Sequence, residues 1–451
     1  MKSLIVSLAV LMACGPAFAA PLAMIEGIAD PVLRDALQAA VGARAESENP
    51  ADGPMRQART AADRARRLLR SEGYYRAQVD PRLDDNSQAV IHITLGPRVR
   101  IATIDAVTTP DTEAAPLARA AITLSRDAPL RAADVIASDA LGLAALQDAG
   151  WPSAESGDRQ VRVDHATDTA IVQFVYDTGP YSVYGPFELD GDNWRPGFIA
   201  ALSPLTRGAT ASRTQILEYQ RRLDALTSVR TSQVMLGEAD PATSERPVRV
   251  ELTPASRHSI EASLSFATSE GAGANFDWTR RNMFLGDETL TVEASITTLQ
   301  QGLGATLSLP HWRRYQQTLL FSAGVQSQET DAFDQTGLLV TAGVTRRAGH
   351  LEYGAGTRLD ISQVTDTTGP RDANTLALDL SAAYDTRNNP LDPDEGLRAR
   401  LQISPAATFG DVETRYVGVE ARASSYYRLS DDLVAAARVR IGTVLGTSAE
   451  S

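Results

Sequence analysis

The sequence has one cysteine, Cys14, among its 451 residues. An intrachain disulfide and a thiolate metal cluster both need more cysteines, so both are excluded. No G-x-S-x-G nucleophile elbow is present. The five histidines are scattered, without the paired spacing of a zinc site: His92, His165, His258, His311 and His350. We therefore expect no enzymatic activity, no metal and no cofactor.

Long apolar runs are also missing. No stretch reaches the roughly 18 apolar residues that a membrane-spanning helix needs. A transmembrane β-barrel escapes this test, because only every second residue of its strands faces lipid. The net charge of −13 argues against a nucleic-acid partner.

Residues 1–19 have the pattern of a secretory signal. Lys2 supplies the positive charge, residues 4–12 are apolar, and Ala17-Phe18-Ala19 is a small-x-small cleavage site. We expect cleavage after Ala19. The alternative is a lipoprotein signal, with Leu11-Met12-Ala13 before Cys14.

Between residues 23 and 254, amphipathic helical stripes alternate with short strands, and one pattern occurs three times. A long helix ends at Gly73, at Gly150 and near Ser228, which lie 77 and 78 residues apart. A constant period of this kind indicates repeated domains. The sequence predicts three strand–helix–helix–strand–strand domains at residues 22–98, 99–180 and 181–255.

The predicted helix at 55–72 is rich in arginine. A docking face for an acidic partner or for lipid head groups is one interpretation, and a solvated helix face is the other. The candidate docking residues are Arg56, Arg59, Arg64 and Arg67.

From Arg257 onward, apolar and polar residues alternate with the period of a β-strand. In 289–297, for example, Leu290 and Val292 alternate with Thr291 and Glu293. The polar positions include full charges, which favours a barrel with lipid outside and a wet, charged lumen. Eleven strands are predicted, near 259–268, 273–280, 289–297, 303–309, 318–326, 337–345, 351–362, 375–385, 397–404, 415–427 and 433–444.

The most informative segment is the hairpin 376–403, whose strands are joined by DTRNNPLDPDEG at 385–396. Pro390 and Pro393 fix φ, while Asn388 and Asn389 tolerate left-handed backbone, so this is a turn. It resembles a motif of the bacterial outer-membrane protein assembly superfamily, the BamA/TamA group. The motif residues are Asp385, Arg387, Asn389, Pro390, Asp392, Pro393 and Gly396.

Two further segments carry this resemblance. Residues 277–282, with Leu285-Gly286, are similar to the opening barrel hairpins of the superfamily. The three repeated domains resemble polypeptide-transport-associated (POTRA) domains, and three copies fit the autotransporter assembly factors of the TamA type. The expected fold class is α+β tandem POTRA-like domains followed by an all-β antiparallel transmembrane barrel, which begins at residue 257.

The resemblance implies an insertase or translocase in the bacterial outer membrane, with its POTRA-like domains in the periplasm. It implies three partners: unfolded outer-membrane protein clients, outer-membrane lipid and an inner-membrane-anchored protein of the TamB type. The barrel would admit clients at a lateral seam on its first strand. The seam residues would be Ile260, Ala262, Leu264, Phe266 and Thr268. The alternatives are a dedicated two-partner secretion pore and, less favoured by three periplasmic domains, a passive porin.

An odd strand count is unusual, because single-chain bacterial barrels have even numbers. Barrels of this superfamily have about sixteen strands, and a lumen loop with an Arg-Gly-Tyr/Phe motif follows the eleventh. Residues 446–451 form a polar run without a further strand. We therefore expect a C-terminally truncated sequence whose open sheet has 259–268 and 433–444 as its edges.

Overall fold

The computed structural model describes residues 21–43, 53–110, 112–267, 271–330, 332–411 and 413–448. The predicted signal at 1–19 and the seam residue Thr268 lie outside these ranges. The chain forms two compact units. The first runs to Val183 and includes Thr210–Arg213, and the second consists of Tyr184–Ala209 and the residues from Thr214 onward.

The first module packs two helices on a three-stranded sheet. Its elements are β1 (Met24–Glu26), α1 (Pro31–Val41), α2 (Pro54–Ser71), β2 (Gln78–Leu83) and β3 (Ala89–Thr94). The strand order is β1-β3-β2, with β1 parallel and β2 antiparallel to β3. Ala61, Ala65 and Leu69 recur at helical spacing on α2 and are fully buried against Leu37 and Ile91. The helical spacing of this apolar stripe is what predicts the helix at 55–72 from the sequence.

The second module repeats the plan with additions. Its elements are β4 (Arg100–Thr109), a 3₁₀ turn (Thr112–Ala114), α3 (Ala115–Ala121), α4 (Ala132–Asp148), β5 (Glu155–Ser156), β6 (Gln160–Asp164) and β7 (Thr169–Asp177). Strand β7 is central, parallel to β4 and antiparallel to β5 and β6. Burial raises the pKa of the Tyr176 hydroxyl, which donates to the Asp139 carbonyl at 3.3 Å.

The third module belongs to the second unit. Its elements are β8 (Val183–Asp190), α5 (Pro196–Ala201), α6 (Arg213–Asp224), β9 (Val229–Leu236) and β10 (Glu245–Pro254), with strand order β8-β10-β9. All three modules follow the order strand, helix, helix, strand, strand, and the second has one further short strand, because β5, β6 and β7 follow its helices. The exact domain boundaries stay a prediction.

The rest of the second unit is an antiparallel sheet of eleven strands, the number that the alternation predicts. Its strands are β11 (His258–Ala267), β12 (Gly271–Arg281), β13 (Thr289–Thr297), β14 (Gln300–Leu309), β15 (Gln317–Glu329), β16 (Phe333–Ala348), β17 (Leu351–Asp366), β18 (Gly369–Asp385), β19 (Gly396–Gly410), β20 (Thr414–Ser430) and β21 (Leu433–Ser448). Each pairs with its neighbours in sequence, as in an up-and-down barrel. Among the described residues, the sheet is open, with β11 and β21 at its two ends.

The strand register places apolar and polar side chains on opposite faces. Directly paired residues share a face, because successive side chains alternate. Leu380 is paired with Ile403, which is paired with Val419, so these three lie on the apolar face. Arg400 is paired with Arg422 on the other, polar face. The expected fold class is therefore confirmed.

Within the described ranges, no helix is long and apolar enough to cross a membrane.

Candidate functional site

The predicted seam strand is an edge of the sheet. Strand β11 pairs with β12 from His258 to Ala267, and no described strand pairs with its other side. An unpaired strand edge presents backbone N–H and C=O groups that can add another strand. The expectation that this segment is an edge agrees with the structure, although its role as a seam stays a prediction.

Four predicted seam residues share one face of β11. Ile260, Ala262, Leu264 and Phe266 alternate along the strand and pair with residues of β12. The three large side chains are among the most exposed apolar groups of the protein, with Leu264 88% exposed. Apolar exposure combined with a free backbone edge is what an incoming strand would cover.

The motif turn between β18 and β19 is held by its own side chains. Arg387 binds Asp385 through two bonds, Nε to Oδ1 at 2.9 Å and Nη2 to Oδ2 at 2.8 Å. The third nitrogen of the same guanidinium, Nη1, donates to the Pro390 carbonyl at 3.1 Å. Planar arginine is suited to such bidentate pairing, so Arg387 fixes where the turn leaves β18.

An asparagine organises the second half of the turn. The Asn388 side-chain oxygen accepts from the backbone N–H groups of Asn389 at 2.9 Å, Asp394 at 3.3 Å and Glu395 at 3.4 Å. These bonds close the turn over Asp392 and Pro393 and leave Leu391 96% exposed at the tip. The motif residues therefore build a rigid turn that presents one apolar side chain.

Gly396 permits the return into β19. Its φ is +107°, and a Cβ there would lie 2.8 Å from the Arg387 Cα and 2.8 Å from the Thr386 carbonyl carbon. Any side chain would force apart the two strands that the turn joins.

A buried carboxylate joins the third module to the sheet. Asp287, in the turn between β12 and β13, is 2% exposed. It accepts from Ser228 N at 2.7 Å, Thr227 Oγ1 at 3.0 Å and Thr227 N at 3.2 Å. These bonds hold the backbone that leads from α6 into β9. The helix predicted to end near Ser228 ends earlier, at Asp224.

The neighbouring Glu288 extends this junction. It is 3% exposed, accepts from Phe284 N and Gly286 N at 3.0 Å each, and pairs with Arg195 at 3.3 Å. Asn282 donates to the Asn193 carbonyl at 2.6 Å. Sequence reasoning missed this junction, because its only signal, two acidic residues beside a strand, also fits a solvated turn.

The turn between β14 and β15 contacts the same module. His311 stacks on Tyr315, with ring centroids 5.1 Å apart, and Arg222 of α6 lies 4.2 Å from the Tyr315 ring centre. Burial lowers the pKa of His311. The aromatic and cationic stack therefore forms a second attachment of the third module to the sheet.

The arginines of α2 are used in different ways. Arg59 and Arg67 are exposed, which leaves them accessible to a partner. Arg56 is also exposed, and it takes part in a polar or electrostatic contact. Arg64, by contrast, donates to the Val41 carbonyl at 2.8 Å and ties α1 to α2. Three of the four predicted docking residues are therefore exposed, and the docking role stays a prediction.

Within the described residues, no cluster of three histidine, cysteine, aspartate or glutamate side chains could hold a metal ion.

Two family models match parts of the chain. Residues 24–95 match the POTRA domain described as TamA domain 1. Residues 282–451 match the Omp85 superfamily domain.

One solved structure shares the fold at low sequence identity, and a second matches more weakly. BamA from Haemophilus ducreyi lacking POTRA domains 1–3 matches with a TM-score of 0.63 and 14% identity, over 76% of this chain and 70% of that chain. CdiB from Acinetobacter baumannii matches with a TM-score of 0.41 and 12% identity, over 79% of this chain and 70% of that chain. The BamA likeness shows a shared fold. Within the chain, residues 24–95 are thus similar to a POTRA domain and residues 282–451 to the Omp85 superfamily domain.

Proposed function

We propose that this protein lies in the bacterial outer membrane. There it assists the insertion or secretion of outer-membrane proteins, including those of the autotransporter type. The observation that carries this proposal is the edge of β11, which no described strand pairs with, together with its exposed apolar face. The Omp85 superfamily match and the BamA-like fold support it.

Strand addition is the mechanism that this edge allows. Main-chain hydrogen bonds form between strands regardless of side-chain identity, so one edge can accept many clients. Ile260, Leu264 and Phe266 would then lie beside the apolar face of the incoming strand. Burial of client apolar surface favours the process by about 25 cal/mol per Å², so no nucleotide chemistry is required.

The three modules would lie in the periplasm and receive unfolded clients before they reach the sheet. Arg59 and Arg67 on α2 are available to an acidic surface of an inner-membrane-anchored partner of the TamB type. The polar junction at Asp287 and Glu288 would hold the last module against the turns beside β11, so that a client is delivered close to the edge.

Site-specific photocrosslinking tests this proposal. A photoreactive amino acid would replace Leu264 on β11 or, as the control, Val340 in the middle of the sheet; the register places both on the apolar face. With an arrested autotransporter client, we expect crosslinks from position 264 and none from 340. Equal crosslinking from both positions, or none from 264, would contradict the edge mechanism. Crosslinks to one dedicated substrate only would favour a two-partner secretion pore.

A further inference from the structure

Strands β19, β20 and β21 carry a cluster of arginines on the polar face of the sheet. Arg400 pairs directly with Arg422, and Arg422 pairs directly with Arg440. Like charges directly opposite each other destabilise a sheet, so three in a row need compensation. With the nearby members of the same face, the arginine patch comprises Arg387, Arg398, Arg400, Arg422, Arg438 and Arg440.

Among the described residues, two carboxylates form ion pairs with this patch. Asp385 forms ion pairs with Arg387 at 2.8 Å and with Arg398 at 3.6 Å. Glu420 forms ion pairs with Arg422 and with Arg440, the latter at 3.0 Å. In the part of the chain that the structure describes, Arg400 and Arg438 are exposed and form no ion pair. Six cations therefore share two anions, in a protein whose net charge is −13.

The arrangement of the cations has the spacing of an extended chain. Arg398 and Arg400 are two residues apart on β19, and Arg438 and Arg440 are two apart on β21, which is about 6.6 Å in each case. The register aligns Arg398 with Arg438 and Arg400 with Arg440, on either side of β20. A cavity of about 290 Å³ lies there, lined by five of these arginines with Ser424 and Tyr426.

The patch also lies at a defined end of the sheet. The strands alternate in direction, so the turn 386–395 is at the same end as the turns that contact the third module. A client delivered by that module would meet this end of the polar face first. Lys2 is the single lysine of the sequence, and the patch consists of arginine, whose planar group binds carboxylates through two bonds.

We propose that the arginine patch binds an acidic, extended segment of a client polypeptide, with aspartate or glutamate at every second residue. The segment lies over β20, and its carboxylates bind the two arginine pairs on β19 and β21. This inference rests on the proposed function, since the ligand is part of a client. It adds a side-chain preference on the polar face to the sequence-independent pairing at β11.

Fluorescence anisotropy tests the patch without any client insertion. The probe is a fluorescein-labelled peptide of alternating aspartate and serine, added to the full chain in detergent micelles. The test variant is R400Q/R438Q, which removes the two unpaired cations. The matched control is R347Q/R358Q, which removes two cations from the same face that are paired with Glu352 at 2.7 Å and Asp379 at 3.3 Å.

We expect R400Q/R438Q to weaken peptide binding about fivefold, because exposed ion pairs each contribute a few-fold in affinity. R347Q/R358Q should weaken binding much less. R400K/R438K, which keeps both charges but loses the two-bond geometry, should weaken binding less than R400Q/R438Q does. A peptide of the same composition with its aspartates in one block should bind less tightly than the alternating peptide. Far-UV circular dichroism of each variant verifies that the sheet is formed.

Three results would overturn the proposal. They are absence of binding to the unmodified protein, equal weakening in the test and control variants, and displacement of the peptide by inorganic phosphate at equal charge concentration, which would indicate a phosphate site. Client insertion is measured separately. Loss of insertion with intact peptide binding would count against the proposed function and not against the patch.

Discussion

At the scale of single residues, the motif turn shows how far local chemistry can be predicted. The run of proline, asparagine and aspartate at 385–396 predicts a turn, and the structure has one there. The particular bonds were not predictable, because Asn388 and Asn389 have the same turn propensity. Only the folded turn distinguishes Asn388, which accepts three backbone N–H groups, from Asn389, which accepts one from Leu391 at 3.0 Å.

Gly396 gives a test of this turn. We expect Gly396→Ala to lower the free energy of unfolding by about 1–3 kcal/mol, because the new methyl group would meet the Thr386 and Arg387 backbone at positive φ. The measurement is a urea titration of the protein in micelles, followed by tryptophan fluorescence.

Gly369→Ala is the matched control for this substitution. Gly369 follows the turn between β17 and β18 and has nearly the same φ of +105°. No heavy atom of the described residues lies within 4 Å of a Cβ added there. Its alanine variant should show backbone strain alone and a smaller loss of stability. Equal losses in the two variants would show that the close approach of the turn backbone is unimportant.

At the scale of elements, periodicity predicted the helices and strands that bury an apolar stripe. Helix α2 begins and ends within one residue of the predicted 55–72. Strands β5 and β6 were not predicted, because β5 has only two residues, both polar, and β6 has five residues with mostly exposed side chains. Strand β19 extends to Gly410, beyond the predicted end at 404. Pro405 lacks a backbone N–H, which argues against a central strand at this position. It nevertheless lies within β19 and is paired with Val417 of β20.

The junction between α6 and the sheet gives a test at this scale. Asp287→Asn removes a buried charge that accepts three hydrogen bonds from Thr227 and Ser228. Hydrogen bonds to charged groups contribute about 1.5–3 kcal/mol, so the segment between α6 and β9 should loosen. Hydrogen–deuterium exchange should be faster at the amides of Thr227 and Ser228, while β16 and β17 are unchanged. Asp192→Asn, an exposed acidic residue of the same module, should have no effect. Unaltered exchange at 227–228 in the Asp287 variant would contradict a role for this carboxylate in joining the module to the sheet.

At the scale of the whole molecule, the alternation of apolar and polar residues was enough to predict the eleven-stranded sheet. It also predicted which side chains share a face of that sheet. It could not give the register, because a strand slipped by two residues keeps the same faces. The row of Arg400, Arg422 and Arg440 exists only in the register that the turns impose. The contact of the third module with the sheet also could not be predicted, because it joins Thr227 and Ser228 to Asp287, in a turn far along the chain.

The open edge makes a prediction about how stability is distributed over the sheet. Strand β16 is bonded on both sides, whereas β11 is bonded on one side among the described residues. Local opening needs fewer broken hydrogen bonds at an edge, so amides of β11 should exchange with deuterium faster than those of β16. An arrested client strand that pairs with β11 should slow exchange at His258–Ala267 and leave β16 unaffected. A β-barrel protein already folded in micelles is the control ligand and should protect neither strand. If β11 exchanges as slowly as β16 in the free protein, or if the client protects both equally, then β11 is not the strand at which clients add.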